Sequence, residues 1–254
     1  MIKREIHVFF TALMFYTRIP VPWKIPYSPE ILNRTTRYLT LVGIIVGCAG
    51  ASIFYLADKC LPVTVALILS MAATILVTGA FHEDGFADFC DGFGGGYTKE
   101  KTLEIMKDSS IGTYGAIGLV LMLLVKFYLL TNIPVSRIPL ILISAHALSR
   151  MVPVCIIYTS RYVRKDELSK TKPIGQKGSA NTFIVASFFA IIFLCFFNIK
   201  AVLIIVAILF VYYLLFRNYI HHKIGGYTGD VLGASQQIAE IGFYLGYLIW
   251  LGNI

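Results

Sequence analysis

Long apolar runs, separated only by short polar segments, recur along the whole chain and leave few folds open to it. They lie at about Tyr38–Ala57, Val63–Phe81, Thr113–Thr131, Arg137–Tyr158, Asn181–Phe197, Ala201–Phe216 and Val231–Leu251. Most approach the roughly 18–20 residues with which a helix crosses a bilayer. In hydrocarbon the backbone must satisfy its own hydrogen bonds, as a helix does. Only 14% of the residues are charged and 57% are hydrophobic, whereas soluble domains are about a quarter charged. No polar segment is long enough to build a core of its own. The pattern predicts an all-α polytopic membrane protein with about seven transmembrane helices, organised as a single integral-membrane domain over residues 1–254. Residues 6–16 are apolar but too short to span, and Arg18, Pro20, Pro22 and Trp23 follow them with no small-residue cleavage site. They predict an interfacial or re-entrant helix rather than a signal peptide, with Arg18 and Trp23 at headgroup level.

The net charge of +8 is a statement about topology rather than about nucleic acid. Threading the spans alternately puts 17 Lys and Arg residues on one side of the membrane and 3 on the other, with Lys126 and Arg150 inside spans. Positive residues gather on the cytoplasmic side, so the polar segments around 82–112 and 217–230 are both expected to face the cytoplasm. The basic segment 159–180, with Arg161, Arg164, Lys165, Lys170, Lys172 and Lys177, reads first as a loop against anionic headgroups. Capture of a polyanionic substrate is the alternative. Cys48, Cys60, Cys90, Cys155 and Cys195 have no metal or disulfide spacing and read as small buried apolar residues.

Chemistry concentrates in FHEDGFADFCDGFGGG, from Phe81 to Gly96. Asp84, Asp88 and Asp91 stand at i, i+4 and i+7 and project from one helix face. None has a basic partner four residues on, so three carboxylates stay ionised there only if a cation sits among them. A solvated helix end whose acids happen to align is the plainer reading. Glu83 points away from that face, toward an outer shell or solvent, and His82 reads as structural before it reads as a ligand or proton shuttle. Gly94, Gly95 and Gly96 end the helix and leave open backbone for a large ligand. Lys107 and Asp108 follow as a cation and an acid near it. Carboxylates for a metal beside ammoniums for phosphates suggest phosphoryl transfer at a membrane surface.

A second constellation is GGYTGDVLGASQQIAE, Gly225 to Glu240. Gly229 belongs to its open loop, and Asp230, Gln237 and Glu240 fall near one helical face. Polar groups at membrane depth are costly and face a bundle interior or a cavity; bonding between helices is the plain alternative for Gln236 and Gln237. In the fourth span His146 and Arg150 share a face, and Arg150 needs either an acid such as Glu240 or a substrate phosphate. Gly43-x-x-x-Gly47 predicts a close helix contact and says little about function. His221 and His222 lack partners at metal spacing.

These blocks, with LEIMKDSSIGTYG after the first and FYTRIPVP near the N-terminus, resemble the cobalamin synthase (adenosylcobinamide-GDP ribazoletransferase) family in order and across nearly the whole chain. Ser110, where that family often has arginine, and Phe86, where it often has leucine, depart from the pattern. The resemblance implies the joining of adenosylcobinamide-GDP and α-ribazole, or its 5′-phosphate, with release of GMP. It also implies Mg²⁺ and an inner-membrane location. On that reading Asp84, Asp88 and Asp91 hold Mg²⁺, Asp108 or Asp230 is the base, and Lys107 or Arg150 stabilises the transition state. Gly94, Gly95, Gly96, Gly229, His146, Arg150, Gln237 and Glu240 then bind substrate. A CDP-alcohol phosphotransferase, whose DGxxAR start is only partly echoed by Asp84-Gly85-Phe86-Ala87-Asp88, is the competing enzyme; a cation or solute transporter is the competing non-enzyme. The sequence leaves the oligomeric state open, a homo-oligomer included.

Overall fold

In a computed structural model, residues 2–21, 28–164 and 179–252 are described. Trp23, Lys24 and the lysines at 165, 170, 172 and 177 lie outside the described residues. Twelve α-helices and three 3₁₀ segments make up the described chain, with no β-strand among those residues. The helices are α1 (Ile2–Tyr16), α2 (Pro29–Arg34), α3 (Leu39–Ala57), α4 (Val63–Thr78), α5 (Phe81–Gly95) and α6 (Lys99–Ile105), then α7 (Thr113–Thr131), α8 (Ile138–Ser149), α9 (Met151–Thr159), α10 (Ala180–Ile191), α11 (Ile199–Ile224) and α12 (Gly229–Gly252).

Four stretches are long and apolar enough to cross a membrane: Glu30–Ala57, Thr113–Thr131, Val135–Thr159 and Ile199–Ile224. A fifth is reached if α4 and α5 count as one bent span. This makes the chain an integral membrane protein, with fewer plain crossings than the hydropathy pattern predicts. The differences have local causes. The expected second span reaches Phe81, but α4 stops at Thr78 and α5 leaves it at 89°. The expected fifth is only twelve α-helical residues before it tightens into a 3₁₀ turn over Ile192–Phe196. The seventh, α12, is long enough but carries a polar face.

The 89° bend is built from two consecutive left-handed residues, Gly79 at φ 65° and Ala80 at φ 59°. Glycine takes that conformation freely, while a residue with a Cβ is strained there by roughly 1–2 kcal/mol. The N-terminal segment holds the bend in place. The Arg18 amide donates to the Val77 carbonyl at 2.7 Å, and the Arg18 side chain lies directly over Gly79. Phe15 and Tyr16 stack edge-on against Phe81, with ring centroids 5.4 and 5.9 Å away. Arg18 thus packs on a hinge rather than only marking a headgroup level.

Gly43 and Gly47 do mark a close contact. A Cβ at Gly47 would lie 2.6 Å from the Ile143 backbone, so α3 and α8 approach with no side chain between them. α5 and α12 likewise pack through Gly85 and Gly233; a Cβ at Gly85 would meet the Asp230 Cα at 3.0 Å. Phe89 and Phe93 bury α5 against Phe216 and Tyr219 of α11. Cys60 and Cys195 are exposed rather than buried.

Candidate active site

The close approach of α5 and α12 brings the two polar constellations to one place. A cavity of about 380 Å³ opens there, lined by Asp84 and Gly85 of α5, by Gly229, Asp230 and Gly233 of α12, by Phe15 and Tyr16 of α1, and by His82 and Arg164. Gly229 has nothing within 4 Å of where a Cβ would be, so its backbone is open. His82 is buried, with its ring edge-on to Phe81.

Arg164 reaches the cavity because the segment after α9 pairs with the loop before α12. The Tyr227 amide donates to the Arg161 carbonyl at 3.0 Å, the Val163 amide donates to the Tyr227 carbonyl at 3.0 Å, and the Arg161 Nε donates to the Gly225 carbonyl at 3.1 Å. Arg164 Nη2 then donates to Asp230 Oδ2 and to the Met106 carbonyl, each at 2.8 Å. The sequence reads Arg164 as part of a basic loop, with polyanion capture only as the loop's alternative role, and pairs it with no acid. Its pairing with a residue 66 positions away leaves no local signal.

The acidic face of α5 divides. Asp84 is exposed and Asp88 half-buried, whereas Asp91 is buried. Both Asp91 oxygens accept backbone amides at the start of α7, from Gly112 at 2.7 Å and from Gly115 at 2.8 Å. Asp91 therefore caps α7, where a negative charge meets the positive end of the helix dipole. The Asp88 carboxyl is pushed up to about 7, by burial first and then by the charges of Asp230 and Asp84. Burial also raises Asp230, against the lowering effect of Arg164 and Thr228. Among the described residues no group of three His, Cys, Asp or Glu side chains is gathered closely enough to hold a metal by itself.

Asp108 sits apart, in the exposed turn between α6 and α7. Its carboxylate accepts the Ser110 amide at 2.9 Å and the Ser110 hydroxyl, and these hold it below the usual carboxylate range. Lys107 is exposed in the same turn. Of the three helix-ending glycines, Gly94 packs on the Tyr114 ring, Gly96 packs on Thr102, and only Gly95 has ordinary clearance.

His146, Arg150, Gln237 and Glu240 come together, but in the bundle interior and not on the cavity wall. Lys126 of α7 is their missing counter-charge: its ammonium lies 3.0 Å from Glu240 Oε2 and also bonds the Gln237 carbonyl oxygen. Tyr244 and Gln236 donate to the two Glu240 oxygens at 2.9 and 3.0 Å. Arg150, 1% exposed, turns back on the His146 carbonyl at 2.8 Å. Glu83 does not face solvent; its Oε1 accepts Gln237 Nε2 at 2.9 Å. The network ties α5, α7, α8 and α12 together directly beneath the acidic helix. The sequence carried a signal for Lys126, since a lone ammonium at membrane depth requires an acid.

The chain is similar to known proteins along its whole length. The family model described as cobalamin-5-phosphate synthase matches residues 8–248. An adenosylcobinamide-GDP ribazoletransferase of Shewanella amazonensis is 46% identical over 97% of this chain and 96% of its own. One from Vibrio parahaemolyticus is 40% identical over 100% of this chain and 96% of its own. No solved structure matches.

Proposed function

This chain belongs to the cobalamin-5-phosphate synthase family, and from that premise we propose how its cavity joins adenosylcobinamide-GDP to α-ribazole, or to α-ribazole 5′-phosphate. Its activity is that of an adenosylcobinamide-GDP ribazoletransferase, the final step of cobalamin biosynthesis. The observation that carries the mechanism is the meeting of Asp84, Asp230 and Arg164 around one cavity whose floor includes the bare backbone of Gly229.

The ribazole hydroxyl attacks the phosphorus nearer cobinamide. A new P–O bond forms, the bond to the bridging oxygen of the diphosphate breaks, and GMP leaves with that oxygen. Asp230 takes the hydroxyl proton. Burial makes it a stronger base than Asp108, which Ser110 holds low. Arg164 releases Asp230 and grips the diphosphate, since a guanidinium matches phosphate oxygens in a planar fork. The open backbone at Gly229 and the apolar lining from Phe15 and Tyr16 leave room for the bulky corrinoid beside the reacting groups. His146, Arg150, Gln237 and Glu240 act through position, by fixing α12 against α5.

Asp84 and Asp88 fit Mg²⁺ as a site of two carboxylates completed by water and substrate phosphate, which is the usual pattern for that ion. The mutual charge that raises Asp88 is what a cation there would relieve. Bound Mg²⁺ would neutralise the diphosphate and the leaving phosphate. Asp91, the third residue of the expected set, keeps its carboxylate on α7.

The topology that fits is seven crossings in a single integral-membrane unit, counting α4, α10 with its 3₁₀ end, and α12. The distribution of 17 positive residues against 3 supports a cavity that faces the cytoplasm. Gly225, Arg161 and Lys99 do lie together at one end of the bundle.

The test is GMP release by purified protein supplied with adenosylcobinamide-GDP, α-ribazole and Mg²⁺. Equal amounts of GMP and cobalamin, abolished by chelation and by Asp84→Asn, support the reading. No GMP from folded protein overturns it and directs attention to CDP-alcohol substrates and then to transport.

A further inference from the structure

An apolar groove of about 370 Å³ lies far from the acidic helix, between α10 and α11. Its back wall is Leu148, Met151, Val152 and Cys155 on α8 and α9. Phe183 closes one side, and Val206, Phe210 and Tyr213 close the other. The opening arises because α10 packs on α3, α8 and α9, whereas α11 packs on α12, α6 and α9. The α11 wall is membrane-facing: Val206 and Phe210 are exposed, and they sit midway along a stretch long enough to cross a bilayer.

One end of the groove is polar. Tyr213 donates to the Thr159 hydroxyl at 2.9 Å, and Arg217 Nη2 donates to the Thr159 carbonyl at 3.0 Å. Arg217 Nε is buried without a partner among the described residues. That nitrogen is sealed in, but a guanidinium carries five donors, and Arg217 is only part-buried, so its Nη nitrogens retain capacity for an anion at this end. Arg161 lies two residues beyond Thr159.

An apolar cavity of this size stays dry and takes apolar ligands, and here its open side faces hydrocarbon. Segment 165–178 is too polar to be the occupant, with four lysines and only Leu168 and Ile174 as aliphatic side chains. We propose that the groove between α10 and α11 binds one acyl chain of an anionic phospholipid, with the lipid phosphate at Arg217. The apolar lining of the groove and its cationic end together match that ligand: apolar tail along α11, negative head at the rim beside Arg217. The polar end is five residues from Arg164, so the lipid also steadies the segment that carries Arg164 to the cavity.

The test is native mass spectrometry of delipidated full-length protein in mild detergent, titrated with dioleoylphosphatidylglycerol and, separately, dioleoylphosphatidylcholine. A single phosphatidylglycerol is expected to be retained, with phosphatidylcholine weaker. Arg217→Gln is expected to lower phosphatidylglycerol affinity roughly fivefold, the share of one basic residue at a membrane surface. Val206→Trp, which narrows the groove from its exposed side, is expected to lower both lipids alike. Thermal unfolding of each variant without lipid separates a lost site from a lost fold. Equal retention of the two lipids overturns the proposal, as does phosphatidylglycerol binding unchanged in both folded variants. A dimer that Val206→Trp dissociates, with no lipid bound, would put a second copy in the groove and overturn it as well.

Discussion

Arg164 and Asp230 stand 2.8 Å apart across the candidate active site, joined by a guanidinium and a carboxylate that both remain partly exposed. The pair is largely buried, with 17% and 21% of the two side chains exposed, and it holds a cation where a diphosphate arrives. Arg164→Gln is expected to cost about a hundredfold in kcat/KM, in protein that thermal unfolding shows to be folded at the assay temperature. Arg164→Lys is expected to recover part of that loss, because it keeps the charge and gives up the planar fork. Equal activity of wild type and Arg164→Gln in the GMP-release assay would remove Arg164 from the mechanism.

Asp84, Asp88 and Asp91 are expected to separate by phenotype. Asp91→Asn loses charged acceptors for the Gly112 and Gly115 amides and is expected to destabilise the protein by about 1–2 kcal/mol. Asp84→Asn and Asp88→Asn are expected to leave stability intact or raised and to abolish Mg²⁺-dependent turnover. Thermal unfolding and metal titration, run side by side on the three variants, check this.

Asp88 sets a pH dependence. Its carboxyl in the metal-free fold is raised to about 7, against about 4 in an unfolded chain. Between those values the folded state holds the extra proton, so metal-free stability falls as pH rises from about 4 through 7. Mg²⁺ competes with that proton, and its affinity is expected to weaken below pH 7. Unfolding curves across pH 5–8 are expected to flatten in Asp88→Asn.

Lys126→Met leaves the Glu240 carboxylate buried and uncompensated. The expected loss is about 3–5 kcal/mol. Lys126→Met combined with Glu240→Gln is expected to recover part of it, because the unpaired carboxylate is gone while the buried Arg150 guanidinium keeps the His146 carbonyl. Unfolding of the two variants in one detergent decides the point.

Gly229→Ala offers a contrast. Nothing lies within 4 Å of the added methyl group, so the fold is expected to tolerate it, while the KM for the corrinoid substrate rises as the methyl occupies open cavity backbone. A raised KM with an unchanged melting temperature is the result that fits.

The acidic face of α5 was legible because its carboxylates follow the helical period, and the Gly43–Gly47 contact because small residues four apart leave a groove. The 89° bend was not legible. Gly79 marks a stop, but Ala80 takes a conformation that alanine rarely adopts, in a bend flanked by Arg18 on Gly79 and by Phe15 and Tyr16 on Phe81. Hydropathy merged α4 with the start of α5 for the same reason. Arg164 escaped notice because its partner is 66 residues away. Asp91 looked equivalent to Asp84 until α7 supplied two amides, and Arg150 lay beside its own helix carbonyl while Lys126 took Glu240.

The Lys126–Glu240 cluster also imposes an order on biosynthesis. Lys126 precedes Gln237 by 111 residues, so at ordinary synthesis rates its helix emerges roughly ten seconds before its partners exist. An unpaired ammonium is costly at membrane depth. Until α12 is made, α7 must therefore wait at the insertion machinery or hold its lysine toward water. Only α12 lets the bundle close, and a ribosome that stops short of it leaves a protein that cannot bury its own charge.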